Sequence, residues 1–206
     1  MCGRHAGRVR RKYYPSTGHV IMPRRRAKGR LFENRVVVWD IDASRRLFKE
    51  GYYGKPLGIP KPKDFEFDAP LILDLMEGYY LVTKKILEVQ DQTGRDLTPR
   101  QLHEICEASY PDFEEKFLVY KKLREDGFVV TPGIKFGSDF AVYEHGPGID
   151  HAPYIVQVVS PDSRMTATSM VRSGRLATTV RKQFIIAISD KEKKSIDFLR
   201  YDWWRA

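Results

Sequence analysis

Between Gly127 and Val159 the chain alternates short apolar runs with turn formers. F-V-V-T (128–131), D-F-A-V-Y (139–143) and P-Y-I-V-Q-V-V (153–159) are rich in β-branched and aromatic residues and separated by glycine and proline. Runs of this length and composition are strands, so a sheet must lie here and the flanking segments must cover it. Upstream, Thr98-Pro99 is an N-cap followed by proline at the first helical position, opening a helix to about Ala108. Pro111 restarts a helix with Phe113, Phe117, Tyr120 and Leu123 on one face, and Gly127 ends it. Downstream, a helix from about Thr166 to Val180 precedes strands F-I-I-A-I (184–188) and I-D-F-L-R-Y (196–201).

The first half is less regular. V-V-V-W (36–39) is a short strand, and Asp42 to Glu50 a short capped helix ended by Gly51. The loop G-K-P-L-G-I-P-K-P-K-D has too many prolines and glycines for a regular element to cross it, and it displays Lys61 and Lys63. Residues 71–85 place Leu71, Leu75, Tyr79 and Val82 at helical spacing and read as one helix despite Gly78. A strand over 86–89 and a turn over 91–96 follow. Helices and strands mix without βαβ regularity, so the class is α+β. The division is a basic extension over 1–30, a small mixed α/β N-terminal domain over 31–110, and a C-terminal α+β domain over 111–206 with a central mixed sheet.

The 206 residues suffice for two small cores, and no uncharged apolar run approaches the roughly 20 residues of a membrane helix, so a membrane partner is not expected. The basic start lacks the apolar run of a secretory signal. Only Cys2 and Cys106 occur, without C-x-x-C or His/Cys metal spacing, which predicts a reduced cytoplasmic setting and no bound metal or cofactor. His103 has no partner at ligand spacing and reads as structural. Net charge is +9, but residues 1–30 hold ten Lys/Arg and no acid, leaving 26 basic against 27 acidic groups elsewhere. Such a segment suits phosphate contacts, whose strength comes from counterion release. A second one-signed segment, Arg164 to Ser189, carries Arg164, Arg172, Arg175, Arg181 and Lys182 without an acid.

Three residue types for phosphodiester chemistry cluster in the second half. Tyr143 and His151 flank the turn Y-E-H-G-P-G-I-D-H, and Lys182 follows in V-R-K-Q-F-I-I-A. In RNA the ribose 2′-OH can serve as nucleophile, so a protein need only remove one proton, return another to the leaving 5′-oxygen, and stabilise the charged phosphorane. A tyrosine, a histidine and a lysine can divide those tasks. A non-catalytic structured-RNA-binding protein would explain the basic tail and the aromatics but not the spaced trio. A metal-dependent nuclease would lean on Asp190-Lys191-Glu192, which lacks a second acid at strand spacing.

The run V-Y-K-K-L-R-E-D-G-F-V-V-T-P-G-I-K-F-G-S-D-F-A-V-Y-E-H-G-P-G-I-D-H-A-P-Y-I-V, then R-L-A-T-T-V-R-K, resembles the tRNA-splicing endonucleases of archaea. The specific feature is Tyr-x-x-Gly-Pro-x-x-x-His with Val-Arg-Lys ending 31 residues after the histidine. The resemblance covers about residues 110–206 closely and V-V-V-W to I-L-E-V more loosely. It implies a C-terminal nuclease domain and metal-independent cutting of precursor tRNA, and of other bulge-helix-bulge RNA, to 2′,3′-cyclic phosphate and 5′-OH ends. It further implies Tyr143 as general base, His151 as general acid and Lys182 as electrostatic stabiliser. The family grips a flipped base between two flat side chains, one an arginine seven residues before the lysine, where Arg175 stands. The other is near the C-terminus, where Trp204 is the candidate and Trp203 and Arg205 are rivals.

Two features depart from the family pattern. Glu144 and His145 stand where a basic residue is frequent, and the loop between the last two strands, acidic in the family and docked into a neighbouring subunit, here reads S-D-K-E-K-K. The proline-rich loop at 55–63 resembles the insertion of crenarchaeal-type catalytic subunits. That resemblance implies an α₂β₂ heterotetramer with a non-catalytic structural subunit, with a homotetramer as the alternative.

Overall fold

The computed structural model describes residues 25–60, 62, 64–149, 152–179 and 181–201. In chain order the first half runs β1 (Ala27–Phe32), β2 (Arg35–Val38), α1 (Ile41–Gly51), β3 (Lys55–Pro56), β4 (Leu71–Asp74), α2 (Leu75–Thr83), β5 (Leu87–Gln90) and α3 (Pro99–Ser109). The second half runs α4 (Phe113–Glu125), β6 (Val129–Pro132), a 3₁₀ turn (Ile134–Phe136), β7 (Phe140–Tyr143), β8 (Tyr154–Val159), α5 (Ala167–Thr179), β9 (Gln183–Asp190) and β10 (Ser195–Tyr201). Two five-stranded mixed sheets result, ordered β3-β4-β2-β1-β5 and β10-β9-β8-β7-β6. The fold is α+β, as the sequence predicts.

Local chemistry sets the helix ends. The Asp40 carboxylate accepts from the Ala43 N–H at 2.7 Å, so α1 starts one residue before Asp42, and Tyr52 closes it in the left-handed region at φ 53°. Thr98 and Gln101 form a capping box ahead of Pro99 at the start of α3. Residues 71–85 are not one helix. Leu71 and Leu73 are fully buried on one face of β4, a period of two, and Asp74 then caps α2, its carboxylate accepting from the Met76 N–H and its own N–H donating to the Glu77 carboxylate. Gly78 sits where a Cβ would come 3.0 Å from the Val36 side chain, so the helix lies close on the sheet.

Two further differences concern the N-terminal half. The sheet begins at Ala27, inside the stretch read as an extension, because Ala27 and Gly29 turn inward while Lys28 turns out. β1 pairs with both β2 and β5. The proline-rich loop also contains the two-residue strand β3, whose Lys55 and Pro56 pair with Ile72 and Leu71 at the sheet edge, where a proline is tolerated.

One apolar core runs through both halves, from Ala27, Val36 and Leu47 through Val119 and Tyr120 of α4 to Val142, Val156 and Ala187. A buried polar network crosses it. Arg124 donates to the Tyr120 hydroxyl at 3.0 Å, the Gly51 carbonyl at 2.8 Å and the Val130 carbonyl at 3.1 Å, and it lies 3.5 Å from Glu77. Its guanidinium also sits 4.4 Å from the centre of the Tyr53 ring. These contacts tie α1 and α2 to the first strand of the second sheet.

Candidate active site

The second sheet brings three strand ends together. β7 runs antiparallel to β8 with Val142 opposite Tyr154, and β8 runs parallel to β9 with Tyr154 opposite Gln183. The last residue of β7 therefore lies at the same edge as the first residues of β8 and β9. Tyr143 follows Val142, Pro153 precedes Tyr154 and Lys182 precedes Gln183, so all three stand at this one edge of the sheet, each next to the last position paired in these two ladders. Gln183 holds the edge by donating its N–H to the Pro153 carbonyl at 2.8 Å.

Side-chain contacts refine this edge. The Lys182 ammonium donates to the Ala152 carbonyl at 2.5 Å and sits 5.1 Å from the centre of the Phe136 ring. Tyr143 is half-buried and its backbone pairs with Val129 of β6. His151 lies outside the described residues, but the chain bonds it directly to Ala152, which is 3% exposed. The lysine charge is thus held against the carbonyl of the residue that follows the histidine.

The turn after Tyr143 rests on the first half of the chain. Gly146 has φ +132°, and a Cβ there would meet the Tyr52 ring at 2.5 Å. Only glycine fits that approach. The Ile149 N–H donates to the Gly146 carbonyl at 3.1 Å, closing the turn. Glu144 accepts from the Tyr154 hydroxyl at 3.0 Å, and burial, reinforced by that carboxylate, holds the Tyr154 hydroxyl above its ordinary range. Glu144 is therefore engaged with the sheet rather than aimed at a phosphate.

Residues 113–198 match the family model of the tRNA intron endonuclease catalytic C-terminal domain, and residues 27–103 match that of the tRNA intron endonuclease N-terminal domain. The tRNA-splicing endonuclease of Hyperthermus butylicus is 47% identical over 169 residues, 82% of this chain and 93% of the relative. That of Pyrobaculum arsenaticum is 43% identical over 173 residues, 82% and 94% of the two chains, and that of Saccharolobus solfataricus is 39% identical over 177 residues, 85% and 97%. The chain belongs to the tRNA-intron endonuclease family. Membership makes it an endonuclease and sets aside a purely RNA-binding role.

The remaining residues expected at this endonuclease's site divide in two. Arg175 is exposed on α5, the helix that leads into β9, and its carbonyl accepts from the Thr179 hydroxyl at 2.9 Å. Lys61, Lys63, Trp203, Trp204 and Arg205 lie outside the described residues. Sequence reasoning misses Phe136, which stands in a tight turn between Gly133 and Gly137 and meets Lys182 only through tertiary packing. The Asp190 carboxylate accepts from the Glu192 and Lys193 N–H groups, each at 3.0 Å, which assigns it to the β9–β10 turn. His103 does have partners. Glu107, one helical turn on, and Glu114 of α4 face its two ring nitrogens, and it packs on Tyr79 and Phe113, so it joins α3 to α4. Among the described residues no helix is long and apolar enough to cross a membrane.

Proposed function

We propose that this endonuclease cuts precursor tRNA at the exon–intron junctions of a bulge-helix-bulge without a metal, through the substrate's own 2′-OH. Tyr143 takes the 2′-OH proton, the freed oxygen attacks the adjacent phosphorus, His151 protonates the leaving 5′-oxygen, and Lys182 offsets the charge that builds on the phosphorane. The products are a 2′,3′-cyclic phosphate and a 5′-OH end. The observation that carries this reading is the convergence of β7, β8 and β9, which sets Tyr143 and Lys182 on either side of Ala152-Pro153, immediately after His151. The test is incubation with a bulge-helix-bulge RNA in EDTA, beside the same RNA carrying a 2′-deoxyribose at each cut site. Cutting of the first and survival of the second are expected. Robust cutting of the deoxy substrate overturns the mechanism.

The same reading gives Arg175 and Trp204 the flipped base, because guanidinium and indole faces stack on any base, and gives Lys61 and Lys63 the phosphates. It also requires more than one copy, since one trio serves one cut. β10 is the edge strand of its sheet among the described residues and presents exposed Phe198 and Leu199, which supports pairing with another copy. The β9–β10 turn carries Lys191, Lys193 and Lys194 against Asp190 and Glu192, a poor fit for a basic pocket on an identical chain, and this favours a structural partner subunit in an α₂β₂ assembly over a homotetramer.

A further inference from the structure

The first sheet carries a basic groove that the catalytic reading leaves unused. Lys28 and Arg30 alternate along β1 with the buried Ala27 and Gly29, and Trp39 directly follows Val38, the last residue of β2. Lys28 and Arg30 thus point to one face of β1, and Trp39 lines the same groove with them. The groove is open, about 670 Å³ in volume, and is lined by Arg25, Arg26, Lys28, Arg30, Trp39 and Arg46. Asp40 and Asp42 are the acids in the lining, and Asp40 is committed to capping α1. Arg26 pairs with Glu88 at 3.2 Å, and Arg46 donates to the Arg25 carbonyl at 3.3 Å, fixing α1 to the start of β1. Trp39 is 56% exposed, a large apolar area for an indole to leave in water.

An exposed indole among cations matches the two chemistries of a nucleic acid, a π-face for a base and positive charge for the backbone. An acidic protein segment would use the cations and leave the indole unexplained. The groove also has a fixed place relative to the candidate active site. It opens at the N-terminal end of α1, while the turn after Tyr143 rests on Tyr52 at the C-terminal end of the same helix. Eleven helical residues span ~16 Å, which sets the separation of the two ends of α1.

We propose that this groove is a second RNA-binding site, in which Trp39 stacks on an unpaired base and Lys28, Arg30 and Arg46 contact phosphates of the precursor tRNA outside the cut sites. The proposal rests on precursor tRNA being the substrate, not on the roles given to Tyr143, His151 and Lys182. It is tested by fluorescence anisotropy with full-length precursor tRNA, blocked by 2′-deoxyribose at the cut sites, and with a short RNA of the splice region alone. The double variant Lys28→Ala/Arg30→Ala is expected to bind the full-length RNA about tenfold more weakly, with a log K versus log salt slope shallower by about two. Trp39→Ala is expected to weaken it to a similar degree, with Trp39→Phe restoring most of the affinity. The short RNA, and its single-turnover cleavage at saturating enzyme, should be unchanged. Unaltered binding of the full-length RNA by both variants overturns the proposal, as does a loss that appears only together with a changed mass in light scattering, which would make this face a subunit contact. Failure of the catalytic reading would show separately, as cutting of the deoxy RNA.

Discussion

Lys182 donates its ammonium to the Ala152 carbonyl across the parallel seam between β8 and β9. The bond fixes the charge beside the backbone of the residue after His151, and the Phe136 ring supports it from a second side. Loss of a fixed cation at a developing oxyanion costs about 10²- to 10³-fold in rate. Lys182→Ala should therefore lower single-turnover cleavage by about that factor while leaving the melting temperature nearly unchanged, since the lysine is only half-buried. Phe136→Leu should reduce the rate by a smaller factor, about threefold to tenfold, in keeping with the modest strength of a cation–π contact. Equal effects of both variants on rate and melting temperature would assign this corner to folding alone.

Gly146 couples the candidate catalytic turn to α1. Gly146→Ala adds a Cβ at φ +132° and 2.5 Å from the Tyr52 ring. Strain of this kind costs about 1–3 kcal/mol and here falls on the residues between Tyr143 and His151. The variant should lose activity out of proportion to its loss of stability. Adding Tyr52→Ala should recover part of that activity by removing the clash, while the backbone strain stays. A rate for Gly146→Ala within a factor of two of the parent chain would show that the turn is not held by this contact.

Much of the fold was legible where short apolar runs meet hard turn signals. β6 to β10 all fall within about two residues of the strands expected, because Gly127, Pro132-Gly133, the Gly-Pro-Gly turn and the Asp190 turn punctuate them. The stretch 71–85 misled because Leu71, Leu75, Tyr79 and Val82 satisfy a helical period, while the paired burial of Leu71 and Leu73 shows only once β2 lies alongside. β1 was hidden by its charges, which outweigh the A-K-G-R-L-F alternation when read as composition. At the site, the spacing of Tyr143, His151 and Lys182 carried the resemblance. Phe136 and Tyr52 reach it through tertiary packing, which spacing along the chain does not encode.

The buried network gives a stability test with a pH signature. Burial pushes the Glu77 carboxyl from an ordinary 4.5 up to about 7, against the pull of Arg124 and of the Asp74 and Gly54 N–H groups. Between those values the folded chain holds a proton that the unfolded chain has released. This contribution is therefore complete below about 4.5 and lost as pH rises through about 7, a change of ~3 kcal/mol. Urea melts across that range should show the decline, and Glu77→Gln should flatten it. Arg124→Met should cost about 3–5 kcal/mol at pH 8, where Glu77 loses its counter-charge and must either stay charged without it or take up a proton, and less at pH 5, where it is already neutral. An equal cost at both pH values would mean that Glu77 does not titrate in this interval.

The basic N-terminal segment divides at β1, and the division decides how it is tested. Residues 1–30 carry ten Lys/Arg and no acid, which predicts a share of the RNA affinity. Ala27 to Arg30, however, pair with Leu87 to Gln90 on one side, and Arg30 to Phe32 pair with Arg35 to Val37 on the other. Ala27 is also 2% exposed in the core. Deletion of residues 1–30 should thus remove four of the six residues of an interior strand, leaving β5 without its partner and β2 with only Leu31 and Phe32 opposite it, giving a chain that fails to fold. Deletion of residues 1–24 removes six of the ten charges and leaves every described pair in place. The shorter deletion should melt within about 2 °C of the parent chain, since it takes nothing from the described strands, helices and core. It should bind precursor tRNA more weakly, with a shallower salt dependence and the same cut sites. Unchanged affinity across a salt titration would make residues 1–24 a passive extension, and a cooperative, parent-like melt of the 1–30 deletion would show that β1 is dispensable to the sheet.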